Sequence, residues 1–534
     1  MKLERKVGKF SLLCMALGGM IGSGWLFGPY YAAKIAGPMA IFSWILGGVM
    51  MMFVALTFAE LATLFPESGS MVRFPHKSHG AFVSSTMGWM IWLSSVAVVP
   101  IETLALLQYA QNYLPFLMQH TDLGYVLTHT GMLIAAIIML IICILNNFGA
   151  HITAKSNGLL VLLKLLVPLM TAMLLAYSAF HISNFSFNGT GGGTNLKNIL
   201  MALPMAGVIF SFIGYSPALQ LAGEAKHPKF SVPLAIIGSL LFTILFYVFI
   251  QTIFIGALNP NDLTHGWAAL SFKGDAGPFA GIAAALGLGW LVYVLYADAI
   301  FSPFGTAFIY TASTARINYG LAENGFFPTV LKNLNRYGAP AISILLNYIV
   351  GLFMLLPFPG WQSMVGFLVS AIVLAYGIGP LALIRLRQIQ PETHRSFKLP
   401  CAQLMTLLAF YCCNLIAYWT GWHTIKHLLI MIAIGYILML GGSYFRKQKI
   451  DFKLENGYWL VIYFIGLGML SYLGSFGGGI NLLPFGWDFL VIGLFCLIFF
   501  YWSKHSQSVL KFFQINLFNL SGDQKYETKK IRNK

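Results

Sequence analysis

The chain has 534 residues, of which 58% are hydrophobic and only 9% are charged, and its mean hydropathy is +0.76. This composition excludes a water-soluble globular protein and indicates a polytopic membrane protein. The net charge of +16 at pH 7 does not indicate nucleic-acid binding, because the basic residues cluster in short loops on alternate sides of the apolar stretches, which is the positive-inside pattern.

Apolar stretches long enough to cross a hydrocarbon core of about 30 Å recur along the whole chain. The first seven lie near residues 10–36, 38–64, 82–112, 126–147, 156–181, 198–223 and 231–257, and the second seven near 277–314, 340–357, 361–385, 401–422, 425–445, 457–476 and 487–504. We predict an all-α protein with about fourteen transmembrane helices. The longest inner loops are short, near 315–339 and 386–400, so we expect one membrane domain without an enzyme domain.

The distribution of basic residues predicts that both termini lie in the cytoplasm. The inner side holds every Lys and Arg except Lys34, Lys164, Lys197, Lys273 and Lys426. The first span is too long for the apolar core of a cleavable secretory signal. We therefore expect a multi-pass protein of the cytoplasmic (inner) membrane, with a cytoplasmic N-terminus at 1–9 and a basic cytoplasmic tail at 505–534.

The sequence contains no motif of a common enzyme or metal site. There is no phosphate-binding glycine loop, no zinc-type histidine pair and no Ser/His/Asp constellation. The six cysteines have no metal-ligand spacing and lie in or beside apolar stretches, which predicts buried thiols: Cys14, Cys143, Cys401, Cys412, Cys413 and Cys496. We expect no enzyme activity, no metal and no cofactor.

The first span is interrupted by five glycines and a proline between Gly18 and Pro29. A helix in lipid must satisfy its own backbone, so such a break is tolerated only where the freed groups face protein, water or ligand. Glycine at 22 and 24 lets a ligand approach the backbone with no Cβ in the way. The alternative is that these glycines serve only helix packing.

A second interruption lies in the sixth span. It consists of the glycine, hydroxyls and proline of Phe210-Ser211-Phe212-Ile213-Gly214-Tyr215-Ser216-Pro217. This break lies five spans after the first. Broken helices at corresponding positions of two halves are typical of inverted-repeat secondary transporters, whose substrate site lies near the bilayer midplane. The two breaks together therefore predict a transporter with its substrate between them.

Four sequence elements resemble the amino acid/polyamine/organocation (APC) superfamily of transporters. They are Gly22-Ser23-Gly24-Trp25-Leu26-Phe27-Gly28-Pro29, Ala59-Glu60-Leu61 with Pro66-Glu67-Ser68-Gly69, Gly223-Glu224-Ala225-Lys226-His227-Pro228 with Val232-Pro233, and Ala315-Arg316 with Asn324-Gly325 and Pro328. The first element has one residue fewer than the family pattern between Phe and Pro, and His227 replaces the usual Asn. The resemblance covers about residues 8–445.

The resemblance implies a LeuT-type fold with a 5+5 inverted repeat, in which spans 1–5 (residues 10–181) and spans 6–10 (residues 198–385) correspond. Spans 11–12 (residues 401–445) and 13–14 (residues 457–504) follow as additional C-terminal helices. The resemblance also implies transport of an amino acid or a related organic cation or zwitterion. Spans 13 and 14 lie outside the twelve-span core and would supply peripheral packing or a homodimer contact.

The two breaks supply the predicted substrate site. The amides of Ser23 and Gly24 open a half-helix whose positive dipole end can hold a substrate carboxylate, and carbonyls freed at the breaks can accept from its ammonium. The predicted substrate contacts are Met20, Ile21, Gly22, Ser23, Gly24, Phe210, Ser211, Ile213, Gly214, Tyr215 and Asp298.

An aromatic gate is implied by the resemblance, because similar transporters close a bulky aromatic residue over the substrate from the outside. Phe210 is the first candidate and Trp25 the second. The alternative is that aromatic rings occur nearly everywhere in a chain with 44 Phe.

Three ionisable residues lie deep within spans, namely Glu102, Lys164 and Asp298. Each costs about 3 kcal/mol or more at the bilayer centre unless it is paired or functional. Lys164 is similar to a lysine that takes the place of a sodium ion in some proton-driven transporters, and burial disfavours the charged form of a lysine. We predict proton coupling through Lys164, Glu102 and Asp298, against the alternatives of a static charge at Lys164 and structural acids at the other two.

Glu60, Glu224 and Arg316 lie at the inner ends of spans. We predict that they form cytoplasmic structural or gating pairs. Such pairs would tune opening rates and leave substrate recognition unchanged.

The sequence thus predicts a secondary active transporter that imports an amino acid by alternating access, with a proton as the coupled ion. Its partners would be an amino acid or related small organic substrate, a proton and the lipid bilayer, and its driving force a proton gradient or a counter-substrate. Trp25 together with Asp298 and Thr306 is similar to the aspartate:proton symporter branch. An amino acid/amine or amino acid/amino acid exchanger and a non-transporting nutrient sensor remain open, whereas a channel would show a filter motif or rings of charge.

Overall fold

The computed structural model describes residues 5–121, 124–148, 150–186, 195–272, 277–356, 360–445 and 457–505. Within these residues the chain is predominantly α-helical, and each predicted apolar stretch contains a helix. The reason is that nearly the whole of each stretch is apolar, and in lipid a helix satisfies all of its backbone groups within one segment.

Spans 1 to 5 contain six α-helices, and a seventh lies in a loop between them. They are α1 Lys9–Met20 and α2 Ser23–Ala36 in span 1, α3 Ala40–Leu64 in span 2, α4 Ser70–His79 in the following loop, α5 Ala81–Ala110 in span 3, α6 His129–Asn146 in span 4 and α7 Ala150–Ser178 in span 5. An antiparallel hairpin, β1 Met118–Thr121 and β2 Gly124–Leu127, connects spans 3 and 4. The sequence did not predict this small exception to an all-α fold.

The second half begins with span 6, which is divided into three short helices, α8 Leu196–Met205, α9 Val208–Phe212 and α10 Ser216–Gln220. The remaining helices are α11 Pro228–Ala257, α12 Pro278–Ala285, α13 Gly289–Glu323, α14 Ala341–Met354, α15 Gly360–Tyr376, α16 Ile378–Ile389, α17 Ala402–Trp419, α18 Trp422–Phe445, α19 Tyr458–Leu473 and α20 Trp487–His505. Helices α11, α13 and α14 form spans 7, 8 and 9, α15 with α16 forms span 10, and α17 to α20 form spans 11 to 14.

Nine helices of the described ranges are long and apolar enough to cross a membrane, or ten if the bent pair in span 6 counts as one. One of the nine, Ser23–Leu64, is 42 residues long, or about 60 Å at 1.5 Å per residue. It therefore comprises α2 and α3, which are separated by the 3-10 turn Gly37–Met39. Four shorter apolar helices lie at the predicted spans 1, 9, 12 and 13: Lys9–Met20, Ala341–Met354, Trp422–Leu438 and Tyr458–Leu473.

The boundaries of span 8 differ from the prediction. The stretch predicted at 277–314 contains the separate helix α12, and the spanning helix α13 begins only at Gly289 and continues to Glu323. The left-handed backbone of Gly287, with φ of 74°, separates the two helices.

The prediction of six buried cysteines is wrong at one position, because Cys401 is exposed at the start of α17.

Spans 1 to 4 each pack against the span five positions later in the chain. Helix α1 contacts the break in span 6, α3 packs along α11, α5 along α13 and α6 against α14. This pairing is the one expected when two five-span repeats are related by an axis that passes between them.

Span 1 is interrupted at the predicted place, whereas the bend of span 6 falls at Gly207, before the predicted segment 210–217, which continues as α9, the 3-10 turn Ile213–Tyr215 and α10. The interrupted segment 206–215 is called the second break below. Helix α1 ends at Met20, and Gly22 has φ of −132° and ψ of −135°. Gly207 has a left-handed φ of 82°, and the helices before and after it are bent by 57°. A side chain at Gly207 would be strained by the backbone and would lie 2.6 Å from the ring of Trp361, so glycine is required there.

The two breaks touch each other through Gly19 and Gly214. A Cβ on Gly19 would lie 2.6 Å from the carbonyl oxygen of Gly214, and a Cβ on Gly214 would overlap the backbone of Gly19. Small residues at helix contacts in membranes let backbones approach this closely. The contact holds the break of span 1 against the break of span 6.

The C-terminal helices are anchored to the core by buried polar contacts. The hydroxyl of Tyr463 in α19 donates to Oδ1 of Asn414 in α17 at 2.8 Å. At the C-terminal end of α20, the backbone carbonyl of Lys504 accepts a hydrogen bond from Arg385 of α16. Spans 13 and 14 thus pack on spans 10 and 11, outside the paired helices.

We expect Gly19→Ala to destabilise the protein, because the added methyl group must push the two breaks apart and overpacking costs about 1–3 kcal/mol. The measurement is the apparent melting temperature of purified protein in detergent. Gly158→Ala in α7 is the matched control, since a Cβ there meets no atom within 4 Å and alanine favours a helix. A Gly19→Ala protein as stable as the control would contradict the close contact.

Candidate functional site

The N-terminus of α2 faces a buried carboxylate. The Ser23 amide donates a hydrogen bond of 2.8 Å to Oε2 of Glu102 in α5, and Glu102 is 1% exposed. The first amides of a helix lack partners within the helix and carry the positive end of its dipole, so a carboxylate is favourable there. The position predicted for the substrate carboxylate is therefore held by a side chain of the protein.

Glu102 uses only one of its two oxygens in this way. Oε1 is buried and has no hydrogen-bond partner among the residues that the structure describes. It lies beside Gly22, where an added Cβ would come within 2.7 Å of it. One carboxylate oxygen thus holds the helix terminus, and the other remains open to a proton or a ligand.

Lys164 of α7 ties span 5 to the first break. Its ammonium donates to the carbonyl of Gly18 at 2.8 Å and to Oγ1 of Thr306 in α13 at 2.7 Å. It is 1% exposed and interacts electrostatically with both Glu102 and Asp298. A Cβ on Gly305 would come within 2.8 Å of the Lys164 side chain, so α13 approaches closely at this point.

Hydroxyl groups of α13 cap carbonyls freed by the first break. Oγ1 of Thr306 donates to Gly18 O at 2.8 Å and lies 3.4 Å from Ile21 O. Ser302, one turn earlier, lies 3.4 Å from the same Ile21 carbonyl. These contacts satisfy backbone acceptors that the missing turn of helix leaves open.

The Met20 carbonyl is taken by span 7. The hydroxyl of Tyr247 in α11 donates to it at 2.8 Å. On the opposite side of the break, a Cβ on Gly24 would overlap the hydroxyl of Ser211 and lie 3.4 Å from the Tyr247 hydroxyl. Glycine at 24 therefore lets the two breaks approach each other at polar side chains.

Asp298 is paired with Trp25. The indole nitrogen of Trp25 donates to Oδ2 of Asp298 at 3.0 Å, and Asp298 is 3% exposed. The Trp25 ring packs on Phe279 of α12 with centroids 5.2 Å apart. Asp298 thus fixes the orientation of the second gate candidate.

Trp361 at the start of α15 contacts both breaks. Its indole nitrogen donates to Oγ of Ser23 at 2.7 Å. Its ring lies 6.0 Å from that of Phe210 at an interplanar angle of 90°, and 5.2 Å from that of Phe27. Phe210, the first gate candidate, is therefore backed by a tryptophan from span 10.

The other predicted residues of span 6 follow Phe210 into the second break. The Ile213 carbonyl lies 3.4 Å from the hydroxyl of Tyr310 in α13, and Gly214 contacts Gly19 through its backbone. The ring of Tyr215 packs against that of Tyr376 at the end of α15, 5.9 Å away.

Glu224 and Arg316 form a buried ion pair below the second break. Nε of Arg316 donates to Oε1 of Glu224 at 2.9 Å, and Nη2 to Oε2 at 3.3 Å. The backbone of Glu224 also accepts from the amide of Val7 at 2.9 Å, and the Val7 carbonyl accepts from Lys226. The segment before α1 is thus attached to the end of span 6.

Glu60 at the end of α3 holds a second cluster. It accepts from Arg387 of α16 at 2.9 and 2.6 Å, and from the Leu399 amide at 2.7 Å. Arg395 lies 3.1 Å from Oε1 of the same carboxylate. A fully buried acid with this many partners connects span 2 to span 10 and to the loop after it.

The structure assembles most of the predicted residues around the first break, and it adds four that were not assigned to the site: Tyr247, Ser302, Thr306 and Trp361. A signal existed for two of them. Asp298, Ser302 and Thr306 are spaced by four residues, which places them on one face of a helix. Tyr247 and Trp361 carried no such signal in a chain with 24 Tyr and 12 Trp.

No group of three or more His, Cys, Asp or Glu side chains in the described ranges could hold a metal ion. The charged groups at the break are instead the two acids and the lysine already described. These groups can form hydrogen bonds and charge pairs with a small polar ligand.

The chain matches a family model described as amino acid permease over residues 7–441. It is 36% identical over 516 residues to the glutamate/serine transporter AimA of Bacillus subtilis (strain 168), covering 95% of this chain and 94% of that protein. It is 30% identical over 508 residues to the aspartate-proton symporter of the same organism, covering 94% of this chain and 96% of that protein.

A third relative, the branched-chain amino acid permease BcaP of Bacillus subtilis (strain 168), is 25% identical over 466 residues, which cover 84% of this chain and 94% of that protein. The family and these relatives are transporters rather than enzymes, and the family implies a LeuT-type polytopic membrane fold. Together with the interrupted spans 1 and 6, the match shows that the chain belongs to the amino acid permease family of the APC superfamily.

Proposed function

We propose that this amino acid transporter imports its substrate across the cytoplasmic membrane by alternating access and in symport with a proton, with both termini in the cytoplasm. The observation that carries the proposal is the hydrogen bond between the Ser23 amide and the Glu102 carboxylate. The carboxylate of Glu102 binds the Ser23 amide, which would otherwise bind the carboxylate of an amino acid.

Substrate and Glu102 compete for one helix terminus. The Ser23 amide has a single hydrogen, and the positive end of the α2 dipole is strongest within its first turn. A substrate carboxylate binds there at full strength only when Glu102 releases the amide. Protonation of Glu102 favours release, because a neutral carboxyl group is a weaker acceptor and is no longer attracted to the dipole.

Proton binding and substrate binding therefore reinforce each other. By linkage, a proton that raises substrate affinity is itself held more tightly when the substrate is bound. The charge of the buried groups also favours the binding of one proton, since Glu102, Asp298 and Lys164 together carry one net negative charge when all are ionised. One added proton makes this buried group neutral, which lowers the cost of enclosing it in a low-dielectric site.

Lys164 fits the same cycle as a cation that holds the break in position. It donates to Gly18 O and Thr306 Oγ1, so it links span 5 and span 8 to the first break. Loss of its charge would weaken both contacts and free span 1 to move. An exchanger is the second candidate function, favoured if these two hydrogen bonds keep Lys164 permanently charged.

We propose an acidic or small polar amino acid as the substrate. Two relatives are named for glutamate/serine and for aspartate. The surroundings of the break support a small polar ligand, because Gly22, Gly24 and the hydroxyls of Ser23, Ser211 and Thr306 lie there. An acidic substrate carries one extra negative charge, and uptake with a proton offsets it.

The gates are proposed at two levels. Phe210 and Trp25 close the outer side, with Trp361 packed against Phe210. The ion pairs of Glu224 with Arg316 and of Glu60 with Arg387 close the inner side, since each connects spans that must separate when the site opens to the cytoplasm. Breaking the Glu224–Arg316 pair leaves two buried charges unpaired, and breaking the Glu60–Arg387 pair leaves Glu60 with Arg395 as its remaining basic partner, so each pair stabilises the closed state.

Purified protein in proteoliposomes should accumulate L-aspartate, L-glutamate or L-serine when an inward proton gradient is imposed and the lumen contains no substrate. A strict exchanger would take up label only when substrate is present inside. Lys164→Ala should abolish the response to the proton gradient. If the wild type shows no uptake of the three amino acids under either condition, the proposed substrate class is wrong.

Glu102→Gln should separate exchange from proton coupling. The amide is isosteric and neutral, so it resembles protonated Glu102 but cannot release a proton. We expect accumulation driven by the proton gradient to fall about a hundredfold, the low end of what a positioned acid–base group contributes to a proton-transfer step, while counterflow exchange continues.

Glu102→Asp is the matched control, because it keeps a titratable carboxyl group one methylene shorter. It should retain the response to the proton gradient at a lower rate. Unchanged accumulation by Glu102→Gln would refute the role of Glu102.

Phe210→Ala and Phe210→Leu test the outer gate. Alanine removes the ring that packs against Trp361 and should lower coupled uptake while exchange persists, whereas leucine keeps an apolar side chain of similar reach and should retain part of the uptake. The measurement is the ratio of uptake to exchange in proteoliposomes. If both variants show wild-type uptake and exchange, Phe210 is not a gate.

A further inference from the structure

One face of α2 runs from the first break to the outer end of the helix. Ser23, Phe27, Tyr30 and Lys34 follow at intervals of four, three and four residues, which aligns them on a single side. The helix rises about 1.5 Å per residue, so Lys34 lies about 16 Å from Ser23. Val7 lies at the other end of span 1, on the inner side, where its amide donates a hydrogen bond to the Glu224 carbonyl. Lys34 therefore lies at the outer end.

Aromatic rings connect these positions. Trp361 contacts Oγ of Ser23 and packs against the rings of Phe27 and Tyr31, with centroids 5.2 and 5.7 Å away. The Tyr31 ring in turn lies 5.1 Å from that of Tyr30. We call Tyr30, Tyr31, Phe27 and Trp361 the aromatic ladder.

Lys34 lies at the outer end of this ladder, and its ammonium has N–H donors that the contacts below do not use. Its ammonium lies 3.4 Å from the Tyr30 hydroxyl and 5.3 Å from the centre of the Tyr30 ring. The Tyr30 hydroxyl itself donates to the carbonyl of Leu270 at 3.1 Å. Among the described residues no carboxylate forms an ion pair with Lys34, and an ammonium group has three hydrogens to donate.

We propose that Lys34 and Tyr30 form an outer subsite that binds the carboxylate of an acidic amino acid before it reaches the two breaks. This inference rests on the proposed function and deepens it, since it assigns the recognition of negative charge to a residue outside the central site. The centre itself holds two acids and one lysine, so it offers an anionic side chain little net attraction. A half-buried cation at the mouth supplies that attraction.

The position of Lys34 also suits capture from the outside. It is one of four lysines predicted on the outer side, with Lys197, Lys273 and Lys426. A single cation beside low-dielectric aromatic walls concentrates anions near it. Phe27 and Trp361 at the inner part of the ladder are buried, so the substrate passes from Lys34 to the Ser23 amide only after the outer side opens.

The test compares aspartate with serine in right-side-out membrane vesicles. Lys34→Gln should raise KM for L-aspartate about tenfold at low ionic strength, which is the low end of the range for electrostatic steering. KM for L-serine, a zwitterion without net charge, should change less than about twofold. The aspartate effect should shrink as the ionic strength approaches 1 M, where the Debye length is about 3 Å.

Lys426→Gln is the matched control, because Lys426 is an exposed cation on the same side, near the start of α18. It should leave both KM values unchanged, and Lys34→Arg should restore aspartate uptake. An equal change of KM for aspartate and serine in Lys34→Gln, or no change in either, would overturn the subsite and leave the proposed function standing. Absence of aspartate and glutamate uptake by the wild type would instead refute the substrate class.

Discussion

The hydrogen bond from the Ser23 amide to the Glu102 carboxylate closes the N-terminus of α2, and the surrounding side chains are arranged around it. An interrupted helix in a membrane leaves amides and carbonyls that lipid cannot satisfy. The protein satisfies the amide with an acid from span 3 and the carbonyls with groups from spans 5, 7 and 8. The groups that stabilise the break therefore come from four different helices, α5, α7, α11 and α13, so movement of any of these helices changes the contacts of the break.

The proposed alternating access relies on this dependence of the break on several helices. The Gly19–Gly214 contact holds the two interrupted spans together, while Lys164 and Thr306 hold span 1 to spans 5 and 8. Polar contacts of this kind have discrete arrangements, so movement of one helix exchanges one set of partners for another. In the proposed transport cycle, the ion pairs of Glu224 and Glu60 resist the same movement at the cytoplasmic side.

The relatives are named for different substrates, so the shared fold alone does not define substrate specificity. Two transporters with identities of 36% and 30% over nearly the whole chain are named for acidic amino acids or serine, and a third, at 25% identity, is named for branched-chain substrates. One backbone framework thus serves different side chains. The α-carboxylate and the ammonium are common to all amino acids and suit the backbone groups of the breaks, whereas specificity must come from side chains around them.

The sequence by itself determined the membrane class, the approximate positions of the spans and the presence of two interruptions, because apolar length and glycine clusters are local properties that lipid constrains strongly. It also identified Glu102, Lys164 and Asp298, since ionisable groups are costly at membrane depth. Only the tertiary structure decided their partners: Glu102 with the Ser23 amide and Asp298 with Trp25. These pairs join residues far apart in the chain, and only helix packing brings them together.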